Sequence, residues 1–109
     1  MIADYEAFIA DQQPDAIFFA TNYLAIHWLK ACKAIGVPIP AMVSFDDHTL
    51  FRLFSPSITA VSQPIEALAA ELIHILLNQL DGKGGKEAQQ VSLPSQLVIR
   101  ESSQRRMAD

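Results

Sequence analysis

Two adjacent carboxylates, Asp46 and Asp47, close the short apolar run Ala41–Phe45. A run of that length after Pro40 predicts a strand covered on both faces, as in a parallel sheet. Open α/β sheets meet their ligands at the carboxyl ends of the strands, so both acids fall where a ligand would be met. A second run, Asp15–Ala20, ends in the polar pair Thr21-Asn22, which adds hydrogen-bonding groups to the same edge. Paired acids at a strand end can hold Mg²⁺ for phosphoryl transfer. The rest of such a site is not in the sequence. There is no Gly-rich phosphate loop, no Lys placed after a later strand, and no metal spacing among His27, His48 and His74. Asp46 or Asp47 also has a purely structural use, as a cap for the turn expected at His48–Phe54.

The chain around these residues has 109 of them, room for one small domain or part of a larger one. Half are apolar and 18% are charged, a balance that folds rather than staying disordered. A net charge of −4 argues against a nucleic-acid surface here, since the Lys and Arg residues are scattered apart from Arg105-Arg106. The one cysteine, Cys32, excludes an internal disulfide and fits a reducing compartment. On the apolar face of a helix it reads as core rather than as a nucleophile. No signal peptide is visible, and no stretch approaches the roughly 18 apolar residues that would span a membrane. A cytoplasmic location is the expectation.

Several elements must position the polar edge. Residues 1–12 read as the end of a helix with Ile2, Tyr5, Phe8 and Ile9 on one face, closed by Pro14. Thr21 or Asn22 can cap a helix running to Ile35, which Gly36 and Pro38 stop. Its stripe is Leu24, Ala25, Trp28, Leu29, Cys32 and Ile35, with Ile26 on the wet side. The connector His48–Phe54 carries Leu50, Phe51, Leu53 and Phe54, more apolar surface than a loop needs to bury. Ser57–Ser62 alternates as a third strand, and Gln63-Pro64 opens the longest helix, 64–81. There Ile65, Leu68, Leu72, Ile73, Leu76 and Leu80 make a stripe that Ile75 and Leu77 widen beyond that of a normal surface helix. Short strand-like runs follow at Val91–Leu93 and Leu97–Arg100, split by Pro94. From Ser102 on there is no periodicity, and 104–109 is expected to be a disordered tail. Strands alternating with helices predict an α/β fold with a mainly parallel sheet.

The runs PDAIFFATN, IGVPIP, VSFDD, SPSITAVSQPIEALA and VSLPSQLVIRESS, in this order and at these intervals, resemble the C-terminal part of the effector-binding domain of LacI/GalR-type transcriptional regulators. The resemblance covers about residues 14–103 and implies a partial periplasmic-binding-protein-like (type I) subdomain. There are departures. Thr21-Asn22 stands for the family's Asn-Asp, Ser44 for a Gly, and Ala60 for a Thr.

The resemblance implies that Asp46 and Phe45 line the effector cleft, with Asn22 and Thr21 as further contacts. A carboxylate can accept from two sugar hydroxyls at once, and an aromatic ring can stack on a sugar face. It further implies a homodimer interface at Leu50, Phe51, Leu53 and Phe54, to which Ile26, as an apolar residue on the wet side of its helix, adds a further subunit contact. It also implies that the helix 64–81 belongs to the other subdomain of the intact fold. The DNA-binding domain and the N-terminal subdomain would then precede Met1, so DNA would be reached only through them. The expected function is effector (sugar or nucleoside) sensing and dimerisation in a repressor, with no catalysis, cofactor or metal. The alternatives are a solute-binding protein of a sugar transporter and, remotely, a Mg²⁺-dependent phosphoryl-transfer enzyme using Asp46 and Asp47.

Overall fold

A computed structural model describes residues 2–104. The chain divides into two compact units, one running to Ser62 and resuming at Leu97, the other Gln63–Gln96. The first unit opens with α1 (Ile2–Gln12), β1 (Ala16–Phe19), α2 (Asn22–Ile35) and β2 (Ala41–Phe45). A 3₁₀ turn at Thr49–Arg52 and β3 (Thr59–Ser62) follow. The strand β4 (Gln96–Val98) and a second 3₁₀ turn, Glu101–Ser103, close the chain's return.

The boundaries of α2 follow from its caps. The Thr21 hydroxyl accepts the Leu24 N–H at 3.4 Å, which satisfies one of the helix's orphan donors. At the other end Gly36 takes the left-handed conformation, φ 71, and its N–H returns to the Cys32 carbonyl. A side chain there would be strained.

The sheet runs β1-β2-β3-β4. β1 and β2 pair in parallel with Phe19 opposite Ser44, and β2 and β3 pair in parallel with Phe45 opposite Val61. The fold class is α/β with a mainly parallel sheet. One face of β2 is buried through Met42 and Ser44, while Val43 and Phe45 on the other are only half-buried. Covering on both faces was the expectation, and within the first unit it fails. α2 packs Ala25, Trp28, Leu29 and Cys32 into the same core as Phe19, Met42 and Ile58, whereas Phe18, on the opposite face, is 62% exposed. Burial also pushes the Cys32 thiol's pKa up, as befits a core position.

Three expectations are corrected. Ile26 is half-buried and packs against the core rather than standing on a wet face. Phe51, expected at the dimer interface, is fully buried in the chain's own core. Its carbonyl accepts the Ile58 N–H at 2.9 Å, which folds the connector back over the sheet. Ser102 and Ser103 lack periodicity yet form a 3₁₀ turn, and Ser102 is buried. Of the expected disordered tail only Gln104 is described; residues 105–109 lie outside the described residues.

The second unit contains α3 (Ile65–Leu80), none of whose residues is buried. The helix ends at Asp81 and Gly82, and the turn after it returns the N–H groups of Lys83 and Gly84 to the Asn78 carbonyl. No strand forms at Val91–Leu93, where a strand was expected. Among the described residues no helix is long and apolar enough to cross a membrane.

Candidate functional site

Parallel strands end on the same edge, so β1, β2 and β3 deliver Thr21-Asn22, Asp46-Asp47 and Ser62 to one side of the sheet. β2 stops abruptly because Asp46 turns into the left-handed region, φ 71, which Asp tolerates better than most side chains. Its N–H still reaches the Val61 carbonyl at 3.0 Å. Ser44, buried beneath it, donates its hydroxyl to the Phe45 carbonyl at 3.0 Å. Phe45 itself is half-buried at the end of the strand.

Asp47 has a different environment. Its Oδ1 and Oδ2 accept from Arg100 Nη1 and Nη2, each at 2.8 Å, a two-pronged pair with the side chains only 20% and 11% exposed. Oδ1 also accepts the His48 N–H at 2.8 Å. The Arg100 hydrogen bond holds the Asp47 carboxyl below its ordinary pKa. Burial opposes it, and the His48 N–H and the charges of Arg100 and Arg52 reinforce it. Arg100 is pushed up by the same bond. Asp47 is therefore structural, but as an ion pair with a residue 53 positions away rather than as the turn's cap, which His48 supplies. A carboxylate locked on a guanidinium is a poor half of a Mg²⁺ site. Among the described residues no cluster of three metal-ligating side chains exists.

Asn22 joins the two strand ends, its amide donating to the Asp47 carbonyl at 3.1 Å. The Thr21 hydroxyl caps α2. His48 accepts the Leu50 N–H on Nδ1 at 3.0 Å, which starts the 3₁₀ turn. Leu53 on that turn is 79% exposed, and Lys33 sits 5.2 Å above the Phe54 ring.

Arg100 is the residue that sequence reasoning passed over. Beyond Asp47 it donates from Nη1 to the Ile58 carbonyl at 2.7 Å. Its backbone N–H donates to the Thr59 hydroxyl at 2.8 Å, and that hydroxyl lies 3.1 Å from its carbonyl. The signal was present in the run LVIRESS, where one Arg ends a strand-like apolar run and needs an anion beside it.

Over residues 2–103 the sequence matches the family described as periplasmic binding protein-like domain. The chain belongs to that family. A curated relative is the HTH-type transcriptional regulator CelR of Thermobifida fusca, 30% identical over 99 residues, 86% of this chain and 29% of the relative. A solved LacI-family regulator from Sanguibacter keddieii superposes with a TM-score of 0.82 at 26% identity, over 94% of this chain and 40% of that one. The CelR–cellobiose complex superposes with a TM-score of 0.80 at 28% identity, over 93% of this chain and 32% of that one. This periplasmic binding protein-like chain thus spans about a third of the length of the regulators it matches, and corresponds to part of their effector-binding domain.

Proposed function

We propose that this chain is part of the effector-sensing and dimerisation module of a LacI-type transcriptional regulator in the cytoplasm, without catalysis of its own. The ligand is a saccharide or nucleoside, and DNA is contacted by other parts of the protein. The observation that carries this is the end of β2, where Asp46 turns at the carboxyl edge with Phe45 beside it. An ionised carboxylate accepts from two neighbouring hydroxyls, and a flanking ring covers an apolar sugar face. Asn22 and Thr21 stand at the end of the neighbouring strand. The structural neighbour solved with cellobiose makes that sugar the first probe.

NMR titration of the chain with cellobiose is the test. Shifts confined to the amides around Asp46, Phe45, Asn22 and Thr21 are expected. In Asp46→Ala the affinity should fall by about 1.5–3 kcal/mol, the worth of hydrogen bonds to a charged group. Shifts that persist unchanged in Asp46→Ala would remove that residue from the site.

The proposed dimer surface consists of Leu50, Leu53 and Phe54 together with Ile26, of which Leu53 is 79% exposed. Leu53→Lys should weaken self-association by about tenfold or more, as for an apolar hot spot at an interface, and leave the fold intact. Light scattering should then show mass moving from twice the 12.0 kDa of one chain towards that value. A wild-type chain that stays at the single-chain mass at all concentrations would refute the dimer.

A further inference from the structure

Resting on the effector reading of the β2 terminus, we infer that Arg100 is a positioning residue for Asp46. By clamping Asp47 it holds the left-handed turn that ends the strand. A non-glycine residue does not stay at φ 71 unaided, because its Cβ crowds the following carbonyl. On its amino side the Asp46 N–H donates to the Val61 carbonyl at 3.0 Å, and the Ser44 hydroxyl lies 3.5 Å from the Asp46 carbonyl. On its carboxyl side the next residue is fixed at three points. Arg100 grips both oxygens of the Asp47 carboxylate, His48 N–H binds Oδ1, and Asn22 holds the Asp47 carbonyl.

The clamp is itself anchored. Arg100 Nη1 reaches the Ile58 carbonyl, and the arginine's backbone is held by the Thr59 hydroxyl. Two residues on, the Ser102 hydroxyl donates to Met42 and accepts from Thr59. The guanidinium is therefore fixed to β2 and β3, and the turn it grips inherits that position. A planar fork holds both oxygens and a third acceptor in one fixed geometry, whereas an ammonium group is a compact point charge with rotatable donors. Lysine at 100 would keep the charge and lose the geometry.

The experiment is amide hydrogen exchange by NMR on the full chain, comparing wild type with Arg100→Lys and Arg100→Met. In Arg100→Lys the amides of Asp46 and His48 should exchange at least about tenfold faster, while those of the β1–β2 ladder keep their protection. Arg100→Met should show the same pattern more strongly; if it unfolds, Arg100→Lys decides. Unchanged protection at Asp46 and His48 overturns the inference, and so does an equal rise at every amide, which marks a general stabiliser. Cellobiose titration of the same samples separates the two layers. Local acceleration with a weakened cellobiose response supports both. Local acceleration in a chain that never responds to cellobiose, lactose or ribose upholds the clamp and overturns the saccharide site.

Discussion

Asp47→Ala is expected to destabilise the chain by about 3 kcal/mol at neutral pH, the lower end of the cost of removing one partner from a buried ion pair. The loss exceeds one contact because Arg100, only 11% exposed, is left without its anion. His48 N–H loses its acceptor as well. The pH dependence has a definite sign. Asp47 titrates below its ordinary value in the folded chain, so the pair's contribution is complete above the unfolded carboxylate pKa of about 4. It disappears as pH falls through the lower, folded value. Urea denaturation from pH 7 down to pH 3 should therefore show a wild-type loss that Asp47→Ala lacks. Parallel curves would mean that the pair contributes nothing.

Phe51→Ala is expected to cost about 3–5 kcal/mol, the range for truncating a buried aromatic ring. Phe51 is wholly enclosed, and its carbonyl ties the connector to Ile58. At roughly 4–8 °C per kcal/mol for a domain of this size, the midpoint of thermal unfolding should fall steeply. Two residues further on, Leu53→Ala should move the midpoint hardly at all under conditions where the chain is monomeric. Differential scanning calorimetry of the pair distinguishes core from surface, and equal shifts would show that the connector is packed differently.

That contrast marks the limit of what could be read in the sequence. Leu50, Phe51, Leu53 and Phe54 form one apolar cluster, and in a single 3₁₀ turn no periodicity separates the inward residue from the outward ones. Longer elements were legible because their signals repeat. The Thr21 cap and Gly36 stop of α2 agree with the structure, as does the middle of its stripe, Ala25, Trp28, Leu29 and Cys32, whereas Leu24 and Ile35 at its ends are exposed. The strand ended by Asp46 agrees as well. Asp47 was readable as structural, since a carboxylate before a turn has a local job. For Arg100 the run LVIRESS signals the need for an anion but not which one, because nothing local reports a partner 53 residues away. Val91–Leu93 misled in the opposite way: it has strand-like residues but no strand forms there, since β propensity records only fit to a sheet surface.

The Ser102 hydroxyl has a consequence for the order in which the chain is made. It donates to the Met42 carbonyl at 2.6 Å and accepts the Thr59 N–H at 2.8 Å, so one side chain stands between a backbone acceptor and a backbone donor just below the point where β2 and β3 begin to pair. Those two groups are synthesised long before the residue that joins them, which lies 60 positions after Met42. A nascent chain therefore carries both strands with two polar groups waiting on water. Closure of the sheet's centre falls to a residue that emerges 43 positions after Thr59 and 60 after Met42, and contacts of such long sequence separation form slowly.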